Sequence, residues 1–231
     1  MLLAEDSLYY RAYLNSLKIA AISTGLALLV GLPLAYAMAR APTRWRGTLV
    51  MLVILPFWTS FLIRIYAWMG ILAREGFLNQ ALIALHLIDA PLEILATNTA
   101  VYIGIVYTYL PFMVLPLYAA LERLDEMLLE AAADLGSPPW KSFWLVTFPL
   151  SLPGVVAGAL LCFIPAVGEF VIPDLLGGSD TLMIGKTLWT EFTVNRSWTV
   201  SSAIAILLLF VLVVPILFYQ NVQSRSLADG R

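Results

Sequence analysis

The stretch IAAISTGLALLVGLPLAYAMA (residues 19–39) lies between Lys18 and Arg40 and contains no charged side chain. Its length matches the roughly 20 residues that an α-helix needs to cross about 30 Å of hydrocarbon. The stretch therefore predicts a membrane-spanning helix.

Similar apolar runs follow along the rest of the chain. Residues 47–73 contain one charge, Arg64, and the runs 94–121, 142–168 and 197–224 contain none. Each run is long enough to cross a bilayer as a helix. We predict an all-α, polytopic transmembrane helical bundle of about five spans, at roughly 15–39, 48–72, 98–120, 150–172 and 198–220.

The composition of the chain agrees with a lipid environment. Of 231 residues, 61% are hydrophobic and only 12% are charged, whereas a soluble domain has about 25% charged residues. The net charge of −2 gives no reason to expect a nucleic acid as partner. No internal repeat or linker divides the sequence, so we predict one membrane domain over residues 1–231.

The basic residues between the runs predict an orientation. One side of the membrane receives seven of them and the other side four. The richer side is expected to be cytoplasmic, and five crossings then leave the C-terminus inside and the N-terminus outside. The richer side holds Arg40, Arg44, Arg46, Arg123, Lys141, Arg225 and Arg231, and the other side Arg11, Arg74, Lys186 and Arg196.

The longest loop on the predicted cytoplasmic side, residues 121–149, predicts a helix, a tight turn and a second helix. Gly136 suits the left-handed residue that ends a helix. Ser137 is then placed to cap the second helix, with Pro138 at its first position. Apolar residues recur at helical spacing on one face of the first helix: Leu124, Leu128, Ala132 and Leu135.

Four carboxylates recur every four residues in the same loop: Glu122, Glu126, Glu130 and Asp134. Like charges at this spacing repel one another on a helix. The row is either a solvated surface or a face that a cationic groove of another protein receives.

The loop also carries a motif at fixed spacing. Glu130-Ala131-Ala132 is followed by three residues, Gly136, nine residues and VTFP ending at Pro149. This resembles the EAA loop of bacterial ABC importer permeases, with Val146 and Phe148 in place of the usual Ile and Leu. The resemblance implies a coupling helix seated in an ATP-binding subunit. Glu130 would contact the ATPase, Ala131 and Ala132 would allow close approach, Gly136 would set the turn, and Pro149 completes the motif.

Three further segments, residues 56–72, 101–125 and 163–178, are similar to the putrescine/spermidine permeases, and most to the putrescine permease. The similarity implies a type-1 ABC importer permease domain over residues 13–220, without the first of the six helices usual in that family. It implies a bacterial inner-membrane location and import of polyamines. The implied partners are two copies of a cytoplasmic ATP-binding subunit, which carry ATP and Mg²⁺, a second permease and a periplasmic polyamine-binding protein.

A path for polyamines needs carboxylates and aromatic faces. Carboxylates neutralise the positive charge of the substrate, and aromatic rings attract cations by about 0.5–2 kcal/mol. Glu169, near the outer end of the fourth predicted span, and Asp174 are the acidic candidates. Glu169 could instead be solvated at the interface or paired with Arg64. The aromatic candidates, which could also form an ordinary interfacial belt, are Tyr66, Trp68 and Tyr107, with Tyr109 beside them.

Two other classes of function fit the sequence less well. An ion-driven secondary transporter usually shows internal repeats and charged helices at mid-membrane. An enzyme needs a catalytic constellation, and one histidine with one cysteine supplies neither this nor a metal cluster. Gly185-Lys186-Thr187 resembles the end of a phosphate-binding loop, but Asp180 stands where that motif needs glycine. We therefore expect no cofactor on this chain.

Overall fold

The computed structural model describes residues 7–229 of the chain, and the side chains of residues 8–213. Within this part every regular element is helical, which confirms the all-α prediction. Arg225 and Arg231 were used above to predict orientation. The side chain of Arg225, and Arg231 as a whole, lie outside the described part of the chain. The helices are α1 Ser7–Arg40, α2 Thr43–Ile54, α3 Phe61–Leu72, α4 Phe77–Ala84, α5 Asn98–Glu122, α6 Met127–Asp134, α7 Pro139–Ser142, α8 Phe148–Val167, α9 Val171–Leu175, α10 Ile184–Thr193 and α11 Trp198–Asp229.

Three helices of the described part have the length and composition to cross a membrane. They are Leu8–Arg40, Asn98–Glu122 and the continuous helix Pro139–Val167. The bent pair Thr43–Trp58 and Phe61–Ala84 can supply a fourth crossing, and α11 contributes the apolar stretch Trp198–Val213. These segments agree with a bundle of about five spans.

Helices α5 and α8 pack closely because two glycines of α8 face α5. A Cβ atom on Gly154 would lie 2.6 Å from Ala120 Cβ, and one on Gly158 would lie 3.0 Å from the Met113 carbonyl oxygen. Small residues four apart let two membrane helices approach in this way. Helix α1 packs on both helices and completes the core.

The second predicted span, residues 48–72, is a broken helix rather than a continuous one. Helix α2 ends at Ile54, a 3₁₀ turn covers Leu55–Trp58, and the chain then bends by 90° before α3. Pro56 lacks the N–H that a continuing helix requires. Thr59 is extended, with φ −95° and ψ 152°.

The fourth predicted span, residues 150–172, begins and ends earlier than expected. Its helix starts at Pro139, upstream of α8, and stops at Val167. A π-helical turn over Phe143–Thr147 joins α7 to α8. The turn ends two residues before Pro149, and the proline ring excludes the carbonyl group of Leu145 within it, which favours the wider turn. Beyond the break, α9 is a separate short helix.

The loops at the other end of the bundle are partly as predicted. The apolar residues 77–88 are too few to span a bilayer and predict a short interfacial or re-entrant helix. Helix α4 occupies Phe77–Ala84. The polar loop 174–196, which contains Gly177-Gly178, predicts irregular structure. It contains instead α10, which is helical over ten residues. Its first two residues, Ile184 and Gly185, are buried.

Candidate functional site

The segment 121–149 forms the predicted elbow, and Gly136 ends its first helix. Gly136 has φ +76°, the left-handed conformation that favours glycine. Its N–H donates to the Ala133 carbonyl at 2.8 Å, and the Ser137 N–H donates to the Ala132 carbonyl at 3.0 Å. These two bonds form a Schellman motif, which closes the helix and reverses the chain sharply.

The start of the second helix differs from the prediction by one residue. Pro138 is extended, with φ −68° and ψ 154°, and Pro139 rather than Pro138 is the first helical residue. A residue that precedes proline is disfavoured in the helical region, so Pro138 cannot begin the helix. Ser137 does not cap it, and its Oγ instead accepts a hydrogen bond from Ser142 Oγ at 3.0 Å.

The acidic row of this loop does not lie on one helix, because α5 ends at Glu122 and α6 begins at Met127. Glu122 lies 3.6 Å from Arg46, and Glu126 lies 3.2 Å from Arg40. Half of the row therefore pairs with the corner between α1 and α2 of the same chain. Glu130 and Asp134 are exposed and have no ion partner among the described residues.

The elbow presents an apolar surface beside Glu130. Ala131 is exposed and Ala132 half-buried, and Leu135 leaves 89% of its surface open. Met127 and Trp140, on the two arms of the elbow, are each 70% exposed. A patch of large apolar side chains rimmed by charges is typical of a protein contact surface.

A second site is a cavity of about 590 Å³ between α3, the middle of α5 and the break after α8. Glu169, in its wall, is only 8% exposed. Its Oε2 accepts a hydrogen bond from the Tyr109 hydroxyl at 2.5 Å, and its Oε1 accepts the N–H groups of Phe170 and Val171 at 3.1 and 3.0 Å. The carboxylate is thereby fixed where the fourth span breaks.

The hydrogen bond to Tyr109 fixes the position of Glu169 along α5. Tyr109 stands eleven residues or so into α5, which is about 17 Å along the helix axis from its start at Asn98. Glu169 therefore lies beside the middle of α5. It directly follows Gly168, the residue at which α8 ends.

Arg64 lines the same cavity but does not pair with Glu169 among the contacts that the structure describes. Its guanidinium carbon lies 5.1 Å from the Phe57 ring centre and 6.0 Å from that of Phe61. Phe57 meets Phe112 edge to face at 5.3 Å, and Phe112 lies 6.2 Å from Tyr109. An aromatic wall thus connects the cation to the carboxylate.

Sequence reasoning missed this wall. The signal available was Phe57, Phe61 and Arg64 around the Pro56 bend, together with Phe112 three residues after Tyr109. Only the break of the second span brings these side chains together.

The other predicted path residues lie outside the cavity. Trp68 and Tyr107 contact each other edge to face at 5.3 Å within the helix packing. Tyr66 is 57% exposed, and Asp174 forms an ion pair with Lys186 at 3.2 Å. Of the six residues named from the sequence, Glu169 and Tyr109 line the cavity.

The segment Gly185-Lys186-Thr187 has a structural explanation. A Cβ atom at Gly185 would lie 2.4 Å from the Gly168 carbonyl oxygen and 2.6 Å from that of Glu169. Glycine is therefore required for α10 to pack on the break after α8. The same contact braces the backbone that carries Glu169.

Comparison with known proteins decides the family. Residues 29–227 match the family described as "Binding-protein-dependent transport system inner membrane component". The chain belongs to this family of ABC transporter permeases. It is a membrane-embedded transport component.

This permease is similar to named relatives over almost its whole length. It is 45% identical over 219 residues to the spermidine/putrescine transport system permease protein PotB of Haemophilus influenzae, covering 95% of this chain and 77% of that protein. It is 44% identical over 214 residues to PotB of Escherichia coli, covering 93% and 78% of the two chains.

The fold of the permease is also found in a solved transporter. The likeness to the crystal structure of a bacterial ABC transporter involved in the import of the acidic polysaccharide alginate has a TM-score of 0.73 and 18% identity. It covers 97% of this chain and 82% of that one. At this identity the likeness supports the type-1 importer fold alone.

Proposed function

We propose that this permease carries polyamines, putrescine and spermidine among them, across the bacterial inner membrane as part of an ATP-driven importer. The observation that carries the proposal is the 45% identity to a spermidine/putrescine permease over 95% of the chain. The cavity supports it, because Glu169 supplies negative charge and the Phe57–Phe112–Tyr109 wall supplies aromatic faces for an organic cation.

The elbow is proposed to couple transport to ATP hydrolysis on a partner subunit. Glu130 and Ala131 are exposed on α6, and the Gly136 turn fixes the angle between the two arms. Ala132 packs inward, and Pro149 accompanies the π-helical turn that links the elbow to α8. Movement of the elbow would thereby reach the break at Glu169 through a single helix.

The proposed assembly contains two cytoplasmic ATP-binding subunits with ATP and Mg²⁺, a second permease and a periplasmic polyamine-binding protein. In this arrangement the elbow and the C-terminus are cytoplasmic. Asp174, at the opposite end from the elbow, and Tyr66, Trp68 and Tyr107 remain proposed contacts along the route to the cavity. Residues 13–220 form the transport domain of a single membrane unit.

The proposal is tested by the ATPase activity of the reconstituted assembly. Putrescine or spermidine, presented with the binding protein, is expected to raise the rate of ATP hydrolysis, whereas methionine and molybdate are expected to leave it unchanged. Stimulation by one of the latter solutes and not by polyamines would retain the importer and reject the substrate. The ratio of stimulation by the two polyamines measures the preference between them.

A further inference from the structure

Arg64 is not accounted for by a path that simply attracts cations. Its Nε and Nη1 atoms are buried and have no hydrogen-bond partner within the described part of the chain. Buried guanidinium nitrogens without a partner are costly, and an ionisable side chain within a membrane-spanning segment is a candidate functional group. The guanidinium lies against Phe57 and Phe61 instead, at 5.1 and 6.0 Å from their ring centres.

The cavity combines two kinds of group that recognise an organic diamine. Glu169 provides a carboxylate, and an apolar aromatic wall runs from Tyr109 through Phe112 to Phe57. A diamine has two ammonium groups separated by an alkyl chain. The carboxylate and the cation position over Phe57 suit the two ammonium groups, and the apolar wall between them suits the alkyl chain. The cation position over Phe57 is already filled by Arg64.

We propose that Arg64 is a resident cation that occupies one of two cation positions in the cavity, and that an ammonium group of the substrate displaces it. The proposal rests on the polyamine function proposed above. An incoming ammonium group beside Arg64 is repelled by like charge. The cavity therefore accepts a diamine only when the guanidinium leaves the rings.

The position of Arg64 in the chain allows such a displacement. Arg64 lies in the first turn of α3, directly after the 90° bend that follows Pro56. Helix α3 is therefore not continuous with α2, and its first turn can shift relative to Phe57, which stands before the bend. Phe57 is held by its edge-to-face contact with Phe112 on α5.

A structural role for Arg64 makes the opposite prediction. If the guanidinium only holds the helices together, or pairs with the second permease, its removal weakens substrate binding or assembly. If it competes with the substrate, its removal strengthens binding. The sign of the change in affinity therefore separates the two roles.

The experiment measures equilibrium binding of labelled putrescine to the complete transporter in detergent, without the binding protein. Arg64→Gln is expected to bind putrescine roughly tenfold more tightly than the wild type, because the ligand no longer competes with a resident cation. Arg64→Lys, which keeps the charge, is expected to stay within about twofold of the wild type. Combining Arg64→Gln with Phe57→Leu is expected to remove most of the gain.

Arg74→Gln is the matched control, since it removes an arginine whose ion pair with Glu93 at 3.5 Å is exposed and outside the cavity. It is expected to leave putrescine binding unchanged. Arg64→Met, which keeps the length of the side chain, repeats the test if the glutamine variant does not assemble. Unchanged or weaker binding in Arg64→Gln and Arg64→Met, or failure of both of these variants to assemble, overturns the proposal.

Uptake of putrescine by the wild type, measured in parallel with binding protein and ATP, tests the proposed function separately. Uptake together with unchanged affinity of Arg64→Gln rejects the role of Arg64 alone. Absence of both uptake and binding in the wild type rejects the polyamine function, and with it the substrate named here.

Discussion

The Tyr109 hydroxyl donates a 2.5 Å hydrogen bond to Glu169 Oε2 and so joins the middle of α5 to the break after α8. The two residues are 60 positions apart in the chain. Because Glu169 also accepts N–H groups at the start of α9, the contact fixes a buried carboxylate, the end of one span and a short helix together.

Removal of the Tyr109 hydroxyl is expected to destabilise the permease. Tyr109→Phe deletes a hydrogen bond to a buried carboxylate, which is worth about 1.5–3 kcal/mol. The thermal unfolding midpoint of the purified protein in detergent is expected to fall, and polyamine uptake with it. Tyr10→Phe, at an exposed site on α1, serves as control and is expected to change neither. Equal midpoints for the two variants would contradict the role given to Tyr109.

Substitution of Gly136 tests the effect of backbone conformation without a steric clash. A Cβ atom at Gly136 would meet no other atom within 4 Å, so a substitution acts only through φ +76°. Gly136→Val is expected to abolish transport while membrane insertion stays intact, because a β-branched residue is strained in this region. Gly136→Asn is expected to keep most of the activity, since asparagine tolerates it. Full uptake by the valine variant would reject the elbow as the coupling element.

Two carboxylates on the same loop are expected to behave differently. Glu130 is exposed and has no ion partner among the described residues, whereas Glu126 pairs with Arg40 at 3.2 Å. Glu130→Lys is expected to weaken binding of the ATP-binding subunit at least tenfold in a pull-down titration. Glu126→Gln is expected to leave that binding within twofold and to cost less than about 1 kcal/mol of stability, as exposed ion pairs do. The reverse order would assign the docking contact to Glu126.

The close approach of α5 and α8 predicts a large effect at a small residue. Gly154→Ala places a Cβ atom 2.6 Å from Ala120 Cβ and 2.8 Å from the Pro116 carbonyl oxygen. Overpacking of this kind costs about 1–3 kcal/mol, seen as a lower midpoint of thermal unfolding. Gly25→Ala on α1, where a Cβ atom meets nothing within 4 Å, is expected to be neutral or slightly stabilising. A neutral Gly154→Ala would contradict the packing.

The sequence was informative where one local signal decided the structure. Uncharged runs bounded by charged residues located α1 and α5. The glycine after an apolar, periodic segment located the turn at Gly136. The turn forms through bonds within six residues, so that nothing distant can alter it.

The remaining features depend on breaks that hydropathy does not register. Residues 48–72 and 150–172 are as apolar as a continuous span, yet one bends after Pro56 and the other stops at Val167. These breaks bring Arg64, Phe57 and Glu169 to one cavity at the middle of α5. Helix α10 was missed although Ile184, Leu188 and Phe192 recur every four residues, because the polar loop around them obscured the pattern.

The central claim is most directly tested by uptake of labelled putrescine into proteoliposomes. These would contain this permease with the neighbouring permease, the ATP-binding subunit and the binding protein, and uptake would be measured with and without ATP and with unlabelled spermidine as competitor. Uptake is expected to require ATP and to be blocked by unlabelled spermidine. ATP hydrolysis with no uptake of either polyamine would contradict the claim.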